Sequence, residues 1–126
     1  MKEITVRERR ANICDEIDIA KDEVIYKNRQ LKENLEDINK VLRIMKKTRK
    51  VISCLTYLKL NWYSDNCNEY QLKRAERELK SFSHLYEKTI LERKILKAKL
   101  KQAQRKFSKK LKTIIRFDKK YFNENQ

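Results

Sequence analysis

The chain has 126 residues, contains no glycine and no proline, and 40% of its side chains are charged. An average protein of this length holds about fifteen glycine and proline residues, and phosphate-binding loops, dinucleotide-binding motifs and tight hairpin turns all need glycine. Proteins built on these loops, motifs and turns are therefore excluded, and an all-α protein is favoured. The chain has 33 Lys and Arg residues and 18 Asp and Glu residues, and the resulting net charge of +15 favours an acidic partner.

The amino-terminal segment carries charges throughout, so it lacks the apolar stretch of a signal peptide. No segment approaches the ~20 apolar residues of a transmembrane helix. Three widely spaced cysteines (Cys14, Cys54 and Cys67) and a single histidine (His84) fit neither a disulfide framework nor a zinc site. We therefore expect a cytoplasmic protein with reduced thiols, no bound metal and no cofactor.

The first predicted helix covers about residues 3–60, and its apolar residues recur every seven positions. The first line of this pattern is Ile17, Val24, Leu31, Ile38, Met45 and Ile52. A weaker companion line is Cys14, Lys21, Asn28, Leu35, Leu42 and Arg49. Apolar spacing of three and four over such a length is typical of a coiled coil.

Residues 61–68 contain the one cluster of Asn, Ser and Asp in the sequence and predict a turn. A second helix is predicted for about residues 69–122, again with two apolar lines. One line is Leu72, Leu79, Tyr86, Arg93, Leu100, Phe107, Ile114 and Tyr121. The other line is Ala75, Phe82, Thr89, Leu96, Ala103, Lys110 and Phe117.

The turn and the two patterns together predict an all-α protein, an antiparallel two-helix coiled-coil hairpin that forms a single domain over residues 1–126. If the chain reverses at Asp65-Asn66, facing residues have numbers that add up to about 131, so that Ile52 faces Leu79. The polar residues of the lines then either set the register or loosen the hairpin locally.

Charge is distributed unevenly along the predicted hairpin. Residues 15–37 hold eight acids and four bases, whereas residues 94–116, which face them, hold ten bases and no acid. The two arms therefore attract each other, and this favours the antiparallel pairing over parallel self-association. The bases still outnumber the acids, so the excess positive charge lies toward the paired termini.

A second apolar line in the first helix is formed by Val41, Ile44, Val51, Leu55, Leu58 and Trp62. A two-helix hairpin has one interface to bury. This line therefore widens that interface, folds under Trp62, Tyr63 and Tyr70 at the turn, or is a docking site near the tip for another protein or another copy of the chain. No carboxylate pair with catalytic spacing, no nucleophile–histidine pattern and no metal-ligand cluster is found, so we predict that the protein is not an enzyme.

The carboxyl-terminal sequence Phe107-Ser108-Lys109-Lys110-Leu111, continued by Arg116-Phe117-Asp118-Lys119-Lys120-Tyr121-Phe122, is basic and aromatic. With its length, charge and mid-chain turn, the chain resembles the central-stalk proteins of type III secretion ATPases, the FliJ, YscO and EscO family, and this segment resembles the virulence-type members. The resemblance implies a cytoplasmic protein peripheral to the inner-membrane secretion apparatus.

The resemblance also implies that the paired termini enter the pore of a homohexameric ATPase and promote the assembly and activity of this ATPase. The turn end reaches toward the export-gate protein or receives secretion chaperones. The ATPase-binding residues would be Arg7, Arg9, Arg10, Lys106, Lys109, Lys110, Lys112, Arg116, Lys119 and Lys120. The partner-binding residues of the turn end would be Leu55, Leu58, Trp62, Tyr63 and Tyr70.

Two other functions fit the composition. One is a coiled-coil adaptor or chaperone that assembles through the second apolar line. The other is a nucleic-acid-binding coiled coil, because a charge of +15 favours phosphate contacts. Binding of nucleic acid is disfavoured, since the basic segment is matched by an acidic one and most aromatic residues fall at interface positions.

Overall fold

A computed structural model of the chain describes residues 5–61 and 66–122. Two α-helices, α1 (Val6–Asn61) and α2 (Asn66–Tyr121), pack against each other, and the described residues contain no strand. The predicted all-α helical hairpin is therefore confirmed. Within the described ranges, neither helix has an apolar stretch long enough to cross a membrane.

The chain divides into two compact units. Unit 1 consists of Met1–Leu31 and Ile95–Gln126, and unit 2 consists of Lys32–Lys94. Each unit therefore contains part of both helices, and each has its own share of the helix–helix interface.

The start of α1 is fixed by a cap that lies in unit 1. The backbone N–H of Glu8 donates to Thr5 Oγ1 at 3.1 Å, and the backbone N–H of Arg9 donates to the carbonyl oxygen of Thr5 at 3.0 Å. Thr5 is therefore the N-cap residue, and Glu8 stands three positions later, as in a capping box. Because the cap falls at Thr5, α1 begins at Val6.

In unit 2, the first line of α1 lies in the interface as predicted, with Ile38 and Met45 buried and Ile52 half-buried. The predicted companion line is wrong, because Leu35 and Leu42 are 44% and 40% exposed. The residues buried beside the first line are instead Asn34, Val41, Thr48 and Leu55.

The reason is that a helix has two lines at three-and-four spacing from any given line, one on each side of it. The predicted companion would bring Lys21 and Arg49 into the interface, and both are exposed in the structure. Burying these charges is unfavourable, so α1 turns its other side inward. That side carries Ala20 and Val41 at equivalent positions, 2% and 7% exposed.

This rotation also changes the meaning of the second apolar line. Val41 and Leu55 belong to the interface itself, while Ile44 and Val51 lie at its margin and are 40% and 49% exposed. Of the interpretations offered by the sequence, widening of the interface is thus the correct one for Val41 and Leu55. A separate docking surface formed by the whole line is excluded.

The two lines of α2 fall in the interface as predicted over most of their length. In unit 2, Leu72, Ala75 and Thr89 are buried, and in unit 1 Ala103 is buried. The remaining positions up to residue 117 are half-buried. Tyr121, the last position, is 37% exposed.

The register differs from the predicted one by about one helical turn. In unit 1, Arg10 pairs with Asp118 and Glu16 with Lys110, so the numbers of paired residues add up to 128 and 126 instead of 131. The cause is the position of the turn. Because α1 ends at Asn61 and α2 already begins at Asn66, the reversal is centred two residues before the predicted point.

Among the described residues of unit 2, three polar side chains are buried. Thr48 Oγ1 donates to the carbonyl oxygen of Ile44 at 2.9 Å and Thr89 Oγ1 to that of Leu85 at 2.7 Å, so each threonine is satisfied by its own helix. Asn34 Nδ2 donates across the interface to the carbonyl oxygen of Thr89 at 3.2 Å. Asn34 Oδ1 is buried without a hydrogen-bond partner, which is energetically unfavourable.

Candidate partner-binding surfaces

In unit 1, the beginning of α1 is held to the end of α2 by a two-point ion pair. Arg10 Nε donates to Asp118 Oδ1 at 2.9 Å, and Arg10 Nη2 donates to Asp118 Oδ2 at 3.2 Å. The guanidinium group matches the carboxylate in shape, so this fork fixes orientation as well as distance. The pair therefore holds the beginning of α1 beside the end of α2.

The same pair shifts the pKa values of both groups. The hydrogen bond from Arg10 lowers the pKa of Asp118, against the opposing effect of desolvation, and the hydrogen bond to Asp118 raises the pKa of Arg10. A carboxyl whose pKa is lower in the folded chain stabilises the fold at neutral pH. That contribution is present above the unfolded pKa of ~3.9 and is lost as the pH falls through the lowered pKa of Asp118.

The ten bases predicted to bind the ATPase are hereafter called the basic end. They all lie in unit 1, and nine of them are exposed while Lys110 is half-buried. Arg10 and Lys110 are engaged within the hairpin, because Lys110 Nζ lies 2.8 Å from Glu16 Oε2. The exposed members without such a pair are Arg7, Arg9, Lys106, Lys109, Lys112, Arg116, Lys119 and Lys120.

Charge in unit 1 remains strongly positive after this pairing. Residues 95–122 contain eleven bases, and Asp118 is their single acid. In α1, residues 5–31 contain six acids and six bases. The ion pair Glu16–Lys110 joins an acid of α1 to a base of α2, as the predicted attraction between the arms requires. The outer surface of α2 keeps its excess of positive charge.

The aromatic residues at the end of α2 form a small cluster. The ring of Phe117 lies 4.6 Å from that of Tyr121 and 6.2 Å from that of Phe122, measured between centroids. Phe117 is half-buried, whereas Phe122 remains 44% exposed. Lys120 Nζ lies 5.1 Å from the centre of the Tyr121 ring. Bases and aromatic rings are thus interleaved at this end of unit 1.

Sequence reasoning missed an apolar component of the basic end. Leu111 and Ile115 lie outside both apolar lines of α2 and are 38% and 52% exposed. Ile115 and Phe122 line a groove of about 420 Å³ together with Arg10, Asp118 and Lys119. The signal available in the sequence was apolar spacing of four and seven from residue 111 to residue 122, outside the interface lines.

At the turn end, in unit 2, the predicted set is only partly available to a partner. Leu55 is buried in the helix–helix interface, so its assignment as a partner-binding residue is wrong. Leu58 is half-buried, and Tyr70 is 62% exposed. Trp62 and Tyr63 lie outside the described residues.

Two apolar side chains near the turn end were missed by the sequence analysis. Tyr57 is 59% exposed and Leu60 is 77% exposed, both at the end of α1. They lie off the three-and-four lines, so periodicity gave no reason to select them. Exposed apolar residues of this kind are what a docking surface needs.

The described residues offer few groups for metal binding or thiol chemistry. They contain no group of three or more His, Cys, Asp or Glu side chains that could hold a metal ion. Cys14 is a half-buried free thiol 3.8 Å from Arg10 Nη1, and Cys54 is an exposed free thiol. The features that stand out are therefore surfaces for binding: the basic end in unit 1 and the exposed apolar residues at the turn end in unit 2.

Comparison with known proteins gives no further guidance, since no protein family, curated protein or solved structure matches the chain. Function is therefore inferred from these two surfaces.

Proposed function

We propose that the protein is the non-enzymatic stalk of a type III secretion apparatus. Its basic end inserts into the pore of a homohexameric secretion ATPase and promotes the assembly and activity of the ring. Its turn end links the ring to the export gate. The observation that carries the proposal is the charge of unit 1, where the single acid of residues 95–122 is itself paired with Arg10. An end of this kind favours an acidic, enclosed partner surface.

Exposed charges suit this role better than a deep apolar contact would. Charged contacts at a wet interface contribute orientation and fast association more than affinity. A single stalk inside a ring meets six subunits in different conformations, so its contacts have to form and break as the ring works. By binding one ring conformation preferentially, the stalk shifts the population toward the assembled, active state.

The two-point Arg10–Asp118 pair supports the same role. It holds the start of α1 beside the end of α2, so that both chain ends enter a pore as one body. At the turn end, Tyr57, Leu60 and Tyr70 supply exposed apolar surface for the export-gate protein or for secretion chaperones.

Charge reversal tests the proposed ATPase contact. We expect Lys109→Glu, Lys112→Glu and Arg116→Glu together to weaken stimulation of ATP hydrolysis by at least about tenfold in apparent affinity, because three attractive contacts become repulsive. Lys110 is left unchanged because it pairs with Glu16. The measurement is the ATPase rate as a function of stalk concentration, at low and at physiological salt.

The matched control reverses three exposed bases of unit 2, Lys46, Lys47 and Lys50. This variant has the same net charge as the first, and we expect it to stimulate the ATPase like the native chain. Circular dichroism establishes that both variants remain helical. Equal stimulation by the native chain and the Lys109/Lys112/Arg116 variant would contradict the proposal.

A further inference from the structure

The basic end of unit 1 carries an exposed apolar stripe, formed by Leu111, Ile115 and Phe122. These side chains are 38%, 52% and 44% exposed. With successive residues about 100° apart around a helix, Leu111 and Phe122 both lie within about 40° of Ile115. The helical bond from the backbone N–H of Phe122 to the carbonyl oxygen of Asp118, at 2.9 Å, keeps Phe122 in this alignment.

Bases border the apolar stripe on one side, and an ion pair borders it on the other. On α2, Lys119 and Lys112 lie about 40° and 60° from Ile115 by the same helical spacing, and Arg116 follows beyond them. From the side of α1, Arg10 lines the groove of about 420 Å³ that Ile115 and Phe122 also line. The stripe therefore has a cationic margin on α2 and the Arg10–Asp118 ion pair on its other side.

The negative charge of Asp118, the acid of this surface, is neutralised by Arg10. Asp118 lines the same groove as Ile115, and both of its oxygens accept hydrogen bonds from Arg10. An unpaired carboxylate beside the stripe would repel an anionic surface. Paired with Arg10, it leaves the positive charge of Lys112, Arg116 and Lys119 unopposed.

We propose that this stripe, with its bordering bases, binds the surface of an anionic lipid bilayer. An amphipathic helix rich in Lys and Arg, with Phe and Leu on its apolar face, lies in the membrane interface. Its apolar side chains enter the headgroup boundary, while long basic side chains reach the phosphates. Each base near an anionic bilayer strengthens binding about fivefold.

A bilayer accounts for the apolar stripe, which contact of the bases with an acidic ATPase pore leaves unused, and it fits the stripe better than a nucleic acid does. Phosphate backbones and carboxylates would use the bases alone and would leave Leu111, Ile115 and Phe122 in water. A bilayer interface accommodates both components at once, since anionic headgroups lie directly above an apolar phase.

Binding of the full chain to vesicles tests the inference. We expect the chain to co-sediment with vesicles of phosphatidylcholine and phosphatidylglycerol, and not with vesicles of phosphatidylcholine alone. Ile115→Ser is expected to lower the partition coefficient about tenfold, by removing inserted apolar area. Lys112→Glu with Lys119→Glu is expected to lower it at least about 25-fold.

Ile19→Ser is the matched control. Ile19 is an equally apolar residue of unit 1, 68% exposed, but Asp15, Asp18 and Asp22 lie near it on α1. The control variant is expected to bind vesicles like the native chain. Circular dichroism on each variant separates loss of binding from loss of helix.

Two results would overturn the inference: equal binding to neutral and anionic vesicles, or native-level binding by Ile115→Ser and Phe122→Ser. In the second case the chain would be a simple polycation, and heparin or DNA would displace it from the vesicles without any dependence on Ile115.

The stalk proposal is judged separately. A chain that stimulates the ATPase but binds no vesicles contradicts only the membrane inference, and a chain that binds vesicles but stimulates no ATPase contradicts only the stalk.

Discussion

Val41→Asp is expected to destabilise unit 2 strongly, whereas Leu42→Asp, at the next position, is expected to have little effect. Val41 is 7% exposed in the helix–helix interface and Leu42 is 40% exposed at its margin. An unpaired carboxylate at the first site costs about 4 kcal/mol, and at the second less than about 1 kcal/mol. Thermal unfolding followed by far-ultraviolet circular dichroism measures the difference.

This comparison decides which side of α1 faces α2. The predicted companion line places Leu42 in the interface and gives the opposite ranking, so each variant serves as the control of the other. If Leu42→Asp lowered the unfolding temperature more than Val41→Asp did, the line through Asn34, Val41, Thr48 and Leu55 would be incorrect.

Asn34→Leu is expected to stabilise the hairpin by about 2 kcal/mol. Asn34 is 6% exposed, and its Oδ1 atom is buried without a partner. A buried unsatisfied oxygen costs about 1–3 kcal/mol, and a leucine in its place removes that cost and adds apolar burial. Chemical denaturation of the native chain and the variant measures the change in the free energy of unfolding.

Asn28→Leu is the control for this substitution. The sequence analysis placed Asn28 in the interface, but the residue is exposed, so its replacement is expected to change the free energy of unfolding by less than about 0.5 kcal/mol. Loss of stability in Asn34→Leu would show that the 3.2 Å hydrogen bond to the Thr89 carbonyl outweighs the unsatisfied oxygen. An interface asparagine that weakens the fold is typical of residues that set register.

The sequence was sufficient to predict the fold because its signals agree with one another. The absence of glycine and proline excludes other classes, and both lines of α2 are apolar at nearly every position. The companion line of α1 was harder to choose, because Leu35 and Leu42 on one side compete with Val41 and Leu55 on the other. Only the three-dimensional packing shows that the second pair is in the interface.

The register depends on a detail that composition does not determine. Turn-favouring residues extend over positions 61–68, and the prediction placed the reversal in the second half of that segment. Because α2 begins at Asn66, the pairs Arg10–Asp118 and Glu16–Lys110 are displaced by about one helical turn from the predicted register. For the same reason the Arg10–Asp118 pair could not be predicted, since pairing across a hairpin requires the correct register.

The candidate surfaces were predictable where charge alone defines them. The excess of bases in residues 95–122 is visible in the sequence, and the structure leaves most of them exposed. Apolar components were not predictable in the same way. Periodicity directed attention to Leu55, which is buried, while Leu60 and Ile115 lie off the lines and are exposed.

Site-specific photo-crosslinking tests the central proposal most directly. A photoreactive amino acid is placed at exposed position 109 in the basic end, or at exposed position 47 in unit 2, and each chain is irradiated with the assembled secretion ATPase. The stalk proposal predicts cross-links from position 109 to peptides that line the central pore and none from position 47. Cross-links to the pore from position 47 but not from position 109, or from neither position, would contradict it.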